Sequence, residues 1–397
     1  MFNKDNIIIR GLKQNNLKNI SIDIPKNKII VFTGVSGSGK SSIVFDTIAA
    51  ESQRQMNETY SAWIRGRLPK YEKPNVELID NLNPSVIIDQ SRLGGNARST
   101  VGTISDMYSA LRLLFSRIGT PQVGPASYFS FNNPNGMCET CAGIGKVMDF
   151  DINNFIDQDK TYDEGFFLLP AFGTGKYYWK VYRRPEYFRT DVPWKDLTER
   201  EQNILLYGRG AITTELVFMD PVTTVCEYCN GTRYSDEALR YNYKKKNIVD
   251  VLNMSVEDAV LFFSDNKKIM NHLQALMEVG LPYISLGQPL STFSGGERQR
   301  VKLAQNIKKK GNIYILDEPT TGLHASDITK VMEILEGIVD RGNTVIVIEH
   351  NTDVMKLADY IIDVGPDGGN KGGKIVFKGT PKEMVEHGNT ITAEYLK

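Results

Sequence analysis

The chain has 397 residues, 41% hydrophobic and 24% charged, with Lys+Arg and Asp+Glu equal at 47 each. At ~150 residues per domain that suggests two or three domains, with ample length to bury a core. The balance excludes bulk disorder and a uniformly basic nucleic-acid coat, though not local basic patches. No apolar run reaches the ~18–20 residues of a membrane helix, and Met1 to Arg10 has no signal-peptide core. The expectation is a cytoplasmic protein with no membrane association.

In chain order, Asn6 to Arg10 and Ile20 to Ile24 are predicted strands. Lys28 to Thr33 is a third, continuous and β-branched, as expected for a strand buried on both faces. It runs into Gly34-Val35-Ser36-Gly37-Ser38-Gly39-Lys40-Ser41 and then a helical pattern from Ser42 to Glu51. Strand, glycine loop and helix make an α/β opening. Val86 to Asp89 is strand-like. A helix is predicted from Thr103 to Arg117, capped by Thr103, with Leu111, Leu114, Phe115 and Ile118 on one face. From about Gly119 to Gln288, Gly, Pro, Asn and aromatics rise, which reads as an inserted domain. From Pro289 the α/β pattern returns. Ser294 to Glu297 opens a helical stretch, Arg298 to Lys309. Strands follow at Ile313 to Leu316 and Thr344 to Ile348, with an amphipathic helix, Ile328 to Val339, between them. The expected division is 1–118, 119–288 and 289–397, with no internal repeat.

Gly34-x-x-x-x-Gly39-Lys40-Ser41 is a complete phosphate loop. Its glycines let backbone N–H groups curl around phosphates, Lys40 neutralises β/γ oxygens, and the Ser41 hydroxyl can ligate Mg²⁺. The candidate nucleotide contacts are Gly34, Ser36, Gly37, Gly39, Lys40, Ser41 and Ser42. The apolar strand ending in Asp317-Glu318 places Asp317 for Mg²⁺ and Glu318 to polarise a water. Taken alone, that pair is as readily a solvated turn. Ser294-Gly295-Gly296-Glu297 at a helix N-terminus is a second anion site or an ordinary capped start. Cys138/Cys141 and Cys226/Cys229 are the chain's four cysteines. Paired in this way in a cytosolic chain, they point to a closed tetrahedral zinc set before disulfides, with four reduced buried thiols as the alternative. Lys176 to Arg184, followed by Phe188, Arg189 and Trp194, interleaves cations with aromatics. That suits phosphate contact with base stacking, or equally a small aromatic core with a cationic rim. Arg298, Arg300, Lys302 and Lys308 to Lys310 form a second basic run, and Lys244 to Lys246 a third, at a hairpin tip.

The arrangement resembles an ATP-binding cassette (ABC) ATPase: an α/β P-loop cassette split by a zinc-containing α+β insertion. The resemblance implies that Gln90 senses Mg²⁺ and the attacking water, and that His350 contacts the γ-phosphate. It also implies that Ser294 to Glu297 act on nucleotide held by another cassette. An aromatic to stack on adenine has no match before Gly34. Closer still, Asn16-Leu17-Lys18-Asn19-Ile20, Phe45-Asp46-Thr47-Ile48, Arg98 to Thr103, Phe129-Ser130-Phe131-Asn132, Asp317 to His324, Ile348 to Asn351 and Ala358 to Asp363 with Gly365-Pro366 resemble the UvrA family. This is the damage-sensing ATPase family of bacterial nucleotide excision repair. Its members normally carry two cassettes, whereas this chain carries one. Gly119 also leads within about ten residues to Phe129, leaving no room for the UvrB-docking domain, so UvrB docking is not expected. The resemblance implies ATP, Mg²⁺ and Zn²⁺ as cofactors and double-stranded DNA as partner. It implies a head-to-tail homodimer, or a heterodimer with another half-size cassette, and DNA damage recognition driven by ATP hydrolysis. The alternative is removal of intercalating compounds from DNA, as in shorter relatives associated with drug resistance.

Overall fold

The computed structural model describes residues 4–89, 98–121, 124–149, 155–207, 222–323 and 325–397. In chain order the strands are β1 (Asn6–Leu12), β2 (Ile20–Pro25), β3 (Ile29–Thr33), β4 (Leu78–Asp80), β5 (Ser85–Ile88) and β6 (Lys146–Asp149). They continue with β7 (Val222–Val225), β8 (Ile313–Asp317), β9 (Thr344–Ile348), β10 (Tyr360–Gly365) and β11 (Lys374–Gly379). The chain forms two compact units, residues 1–129 with 239–397, and residues 130–238.

The first unit holds a six-stranded sheet in the order β11-β10-β3-β9-β8-β5 and a three-stranded sheet in the order β2-β1-β4. From β10 to β5 every pairing is parallel, and only β11 runs antiparallel. All five residues of β3 and of β9 are buried, as strands covered on both faces require. Ile30, Phe32, Ile315, Ile346, Ile348 and Ile362 join one core with Ile43, Val44 and Ile48 from the run after the phosphate loop. That run is α-helical at Lys40–Ile43, π-helical at Val44–Ala49 and α-helical again at Ala50–Glu58. Single π turns of this kind are frequent at functional sites.

The predicted Thr103 to Arg117 helix is two helices, Val101–Ile104 and Met107–Ile118. Thr100, not Thr103, is the first cap, accepting the Thr103 N–H in a reciprocal capping box. Asp106, in the left-handed region at φ 58°, separates the two. Leu111 and Phe115 are buried, but Ile118 is 54% exposed. The later helix spans Gly295–Asn306, starting before the predicted Arg298, because Ser294 caps it.

The second unit pairs β6 with β7 antiparallel, Lys146 opposite Val225 and Asp149 opposite Val222. Its core is aromatic: Tyr162, Phe166, Phe167, Phe172, Phe188 and Trp194 are buried, with Tyr178, Trp179 and Tyr182 packed against them. Trp179 Nε1 donates to the Tyr162 carbonyl at 3.0 Å, and the Tyr162 hydroxyl donates to the Trp179 carbonyl at 2.9 Å. Arg183 forks onto Asp163 at 2.6 and 2.9 Å, and Arg189 onto Glu201. Of the two sequence readings of this segment, the aromatic core with a cationic rim is the one formed. These rings fill volume, and only Tyr177 is largely exposed among those of Tyr177–Tyr182. The second basic run is also partly engaged. Arg298 donates to the Phe293 carbonyl at 2.7 Å, Arg300 to that of Gly280 at 3.4 Å, and Lys302 pairs with Asp89. Lys308, Lys309 and Lys310 stay exposed.

Candidate functional site

The phosphate loop leaves the C-terminal end of β3, where parallel α/β sheets place ligands. Gly34, Gly37 and Gly39 sit at φ 124°, 74° and 114°, open to glycine alone at little cost. A Cβ on Gly34 would lie 2.0 Å from the Val364 carbonyl oxygen of β10. Gly34→Ala is therefore expected to lower the melting temperature by several degrees and abolish nucleotide binding. Gly337→Ala is the control. Its site is helical with open space around it, so thermal denaturation should show a neutral or slightly stabilising change.

The loop is clasped from outside. Asn16 Nδ2 donates to the Gly37 carbonyl at 3.0 Å and to that of Gly369 at 3.1 Å. The N–H groups of Gly369 and Gly373 donate to the carbonyls of Gly37 and Ser38. Asn15 Nδ2 donates to Ser42 Oγ at 3.0 Å and Asp46 at 2.8 Å. Ser36 and Ser41 remain exposed.

Lys40 is buried and donates to the Gly34 and Val35 carbonyls at 2.8 and 3.0 Å. Burial pushes its amine down, and Glu318, Asp363 and Asp317 push it back up. Asp317 ends β8 with its carboxyl raised by burial, then by Glu318, Asp89 and Glu349. Asp363, on β10, is raised by burial while Thr392 donates to it at 3.1 Å. Carboxylates crowded in this way around a single buried amine suit a divalent cation and polyphosphate. Ser38 Oγ, buried and without a partner among the described residues, is a further donor left for such a ligand.

Glu318 lies at φ 43°, unusual for a non-glycine residue. Its N–H donates to the Ile348 carbonyl at 2.9 Å, and its carboxylate stands 3.8 Å from His350 Nε2. Lys40, Asp317, Glu318 and His350 thus converge at neighbouring strand ends. Gln90 lies outside the described residues. Ser294 caps its helix, with its N–H donating to Glu297 at 2.9 Å and the Glu297 N–H returning to Ser294 Oγ at 3.3 Å. Gly295 and Gly296 form the first turn. Among the described residues no hydrogen bond joins Ser294, Gly295, Gly296 or Glu297 to this chain's phosphate loop. The helix instead docks on β8, where Gln299 donates to the Asp317 carbonyl at 2.6 Å.

In the second unit the four cysteine sulfurs lie within 4.8 Å of one another, all buried. Cys138 and Cys226 are 4.0 Å apart, Cys141 and Cys229 3.7 Å. Zn–S bonds of ~2.3 Å in a tetrahedron put sulfurs ~3.8 Å apart, so the donor set fits zinc. Each pair is followed by two residues with positive φ, Ala142-Gly143 and Asn230-Gly231. Each turn therefore curls back so that backbone N–H groups point at sulfur, as Gly145 N does at 3.2 Å from Cys141. Burial raises the Cys138 thiol, and that of Cys229 to about 12. Hydrogen bonding from the Cys229 N–H lowers Cys226. A bound cation would hold all four as thiolates.

Sequence patterns did not single out Gln299, Glu349, Asp363 or the Asn15-Asn16 clasp as site residues. A lone acid inside an otherwise apolar strand, as at Asp363, was the available signal.

A sequence model of the family described as ABC transporter matches residues 200–321. The chain is 37% identical over 397 residues to UvrABC system protein A of Aquifex aeolicus, covering 98% of this chain and 35% of that protein. It is equally 37% identical over 396 residues to UvrABC system protein A of Staphylococcus aureus strain COL, covering 98% and 34%. The crystal structure of UvrA2 from Deinococcus radiodurans matches at a TM-score of 0.74 and 29% identity, over 100% of this chain and 58% of that one. The chain spans about a third of the length of the curated relatives it matches. With likeness of this degree running along nearly its whole length, the chain has the α/β fold of an ABC ATPase and is similar to the UvrA family over the third of those proteins that it spans.

Proposed function

We propose that the chain binds and hydrolyses ATP, and that the ATP state controls clasping and release of double-stranded DNA in damage recognition. The observation that carries this reading is the convergence of Lys40, Asp317, Glu318 and His350 at the ends of β3, β8 and β9 in a UvrA-like chain. Gly34, Ser36, Gly37, Gly39, Lys40, Ser41 and Ser42 cradle the phosphates. Ser41, Gln90 and Asp317 hold Mg²⁺, which neutralises phosphate charge when bound. Glu318 polarises the attacking water, and His350 faces the terminal phosphate. Ser294, Gly295, Gly296 and Glu297 complete the site of a second cassette, so the working unit is a head-to-tail pair, as a homodimer or with another half-size chain. Cys138, Cys141, Cys226 and Cys229 hold a structural zinc, whose four protein ligands leave no position for water. UvrB docking is not part of the proposal. A cytoplasmic setting suits a four-cysteine metal set, and among the described residues no helix is long and apolar enough to cross a membrane.

Damage is sensed through duplex deformability rather than base identity. Sized DNA binding with and without Mg-ATP, on plain, adducted and intercalator-loaded duplex, tests the reading. Adducted duplex should bind tighter than plain in an ATP-dependent way. Preference for intercalator-loaded duplex alone would favour drug removal, and no binding to any duplex would overturn the DNA reading. Replacing Lys308, Lys309 and Lys310 by Ala should reduce the slope of log affinity against log salt by about 2–3 if these exposed lysines meet phosphates.

A further inference from the structure

Glu349 follows the last residue of β9 and is only 3% exposed. A carboxylate so buried must find hydrogen-bond donors or lose its charge. One oxygen, Oε1, accepts the Thr320 N–H at 3.1 Å and the Thr320 hydroxyl. The other, Oε2, accepts the N–H groups of His350 at 2.8 Å and Asn351 at 3.1 Å. Thr320 lies in the turn just after Glu318, and its neighbour Thr321 donates to Glu318 Oε2 at 3.1 Å. Both loops that carry the Glu318–His350 pair are therefore tied to one buried carboxylate.

We propose that Glu349 is a positioning residue for ATP hydrolysis, clamping the loop after β8 to the loop after β9 and so fixing Glu318 relative to His350. The inference rests on the ATPase reading above. A carboxylate is the side chain suited to this post. It offers acceptors on both oxygens, whereas an amide turns a donor toward one of the two sets of N–H groups and leaves at least one backbone N–H unpaired. Among the described residues no hydrogen bond of the Glu349 carboxylate reaches the phosphate loop or Lys40, so its loss should act on turnover and spare binding. A displacement of about 1 Å in a reacting group is enough to cost ~10²-fold in rate.

The test measures kcat, KM and equilibrium ATP affinity for Glu349→Gln, Thr320→Val and Thr320→Ser, with Glu318→Gln as control. Glu349→Gln and the near-isosteric Thr320→Val should each lower kcat about 10-fold or more with ATP affinity within threefold. Thr320→Ser, which keeps the hydroxyl, should stay close to wild type. Thr320→Val keeps the question answerable if Glu349→Gln folds poorly. Unchanged kcat in both variants, or loss of ATP affinity in parallel with kcat, overturns the proposal. A wild-type chain with no ATPase activity overturns the ATPase reading and this inference together. An active wild type that is silenced by Glu318→Gln while Glu349→Gln and Thr320→Val keep the wild-type kcat overturns the inference alone.

Discussion

Glu318→Gln is expected to bind ATP as the wild type does and to hydrolyse it at least ~10²-fold more slowly. The reason lies in how the acids at the strand ends are placed. Asp317 is half buried at the end of β8, its carboxyl raised by burial and by three acidic neighbours, and it faces the Lys40 charge. Its place among several acids beside one buried amine suits it to a metal. Glu318 stands one residue further on, partly open, with Thr321 donating to one oxygen and His350 beside the other. It is the carboxylate with room for a water. The amide of Gln has the same shape, but it cannot draw a proton from water. Nucleotide titration should therefore give unchanged affinity while phosphate release falls. Normal turnover would sink the assignment. Lys40→Ala should fail in the opposite way, losing binding first, because the amine that now caps the Gly34 and Val35 carbonyls is the charge available to phosphate.

The second large effect concerns metal. Purified chain should carry about one zinc, and chelation or Cys226→Ser should loosen the 130–238 unit while leaving ATP binding intact. The four sulfurs form a cluster of their own, separate from the aromatic core built on Phe166 and Trp194. Without a cation, buried thiols are poor glue, and burial raises two of them, Cys138 and Cys229. Structural zinc in small modules is worth on the order of 10 kcal/mol of apparent binding, most of it spent as folding energy. β6 and β7 lie next to the cysteine turns in sequence and should fray with them. Trp179 and Trp194 report on this unit, whereas Trp63 lies in the other. Their fluorescence should shift on chelation while nucleotide titration does not. Elemental analysis finding no zinc in protein prepared without chelator would refute the assignment.

The phosphate loop and the buried strands were legible because they are local. Ile29–Thr33 and Thr344–Ile348 are apolar along their whole length, and the loop follows at once. Boundaries set by side-chain hydrogen bonds were harder. Thr100 and Thr103 both look like caps, and only the geometry shows which accepts the N–H. The basic-aromatic segment stayed ambiguous because the acids that neutralise it, Asp163 and Glu201, precede or follow it at a distance no motif records. The supports of the nucleotide site are also remote in sequence. Asn16 meets Gly369 across 353 positions, and Glu349 meets Thr320 across 29. Such pairs exist only once the parallel sheet has brought the strand ends together.

We propose that one cassette of this chain holds half of each ATP site. Lys40 and Ser294 lie on surfaces that no hydrogen bond joins within the chain among the described residues, and a head-to-tail pair would bring Ser294 of one subunit to the nucleotide of the other. ATP bridging the two should strengthen the pair, since a ligand stabilises the state it binds. The measurement is sedimentation of Glu318→Gln with and without Mg-ATP across a range of protein concentrations. The expected result is a monomer without nucleotide and a stable dimer with it, and specific turnover of the wild type that rises with concentration. A chain that stays monomeric with Mg-ATP, while the wild type hydrolyses ATP at a concentration-independent rate, would contradict it.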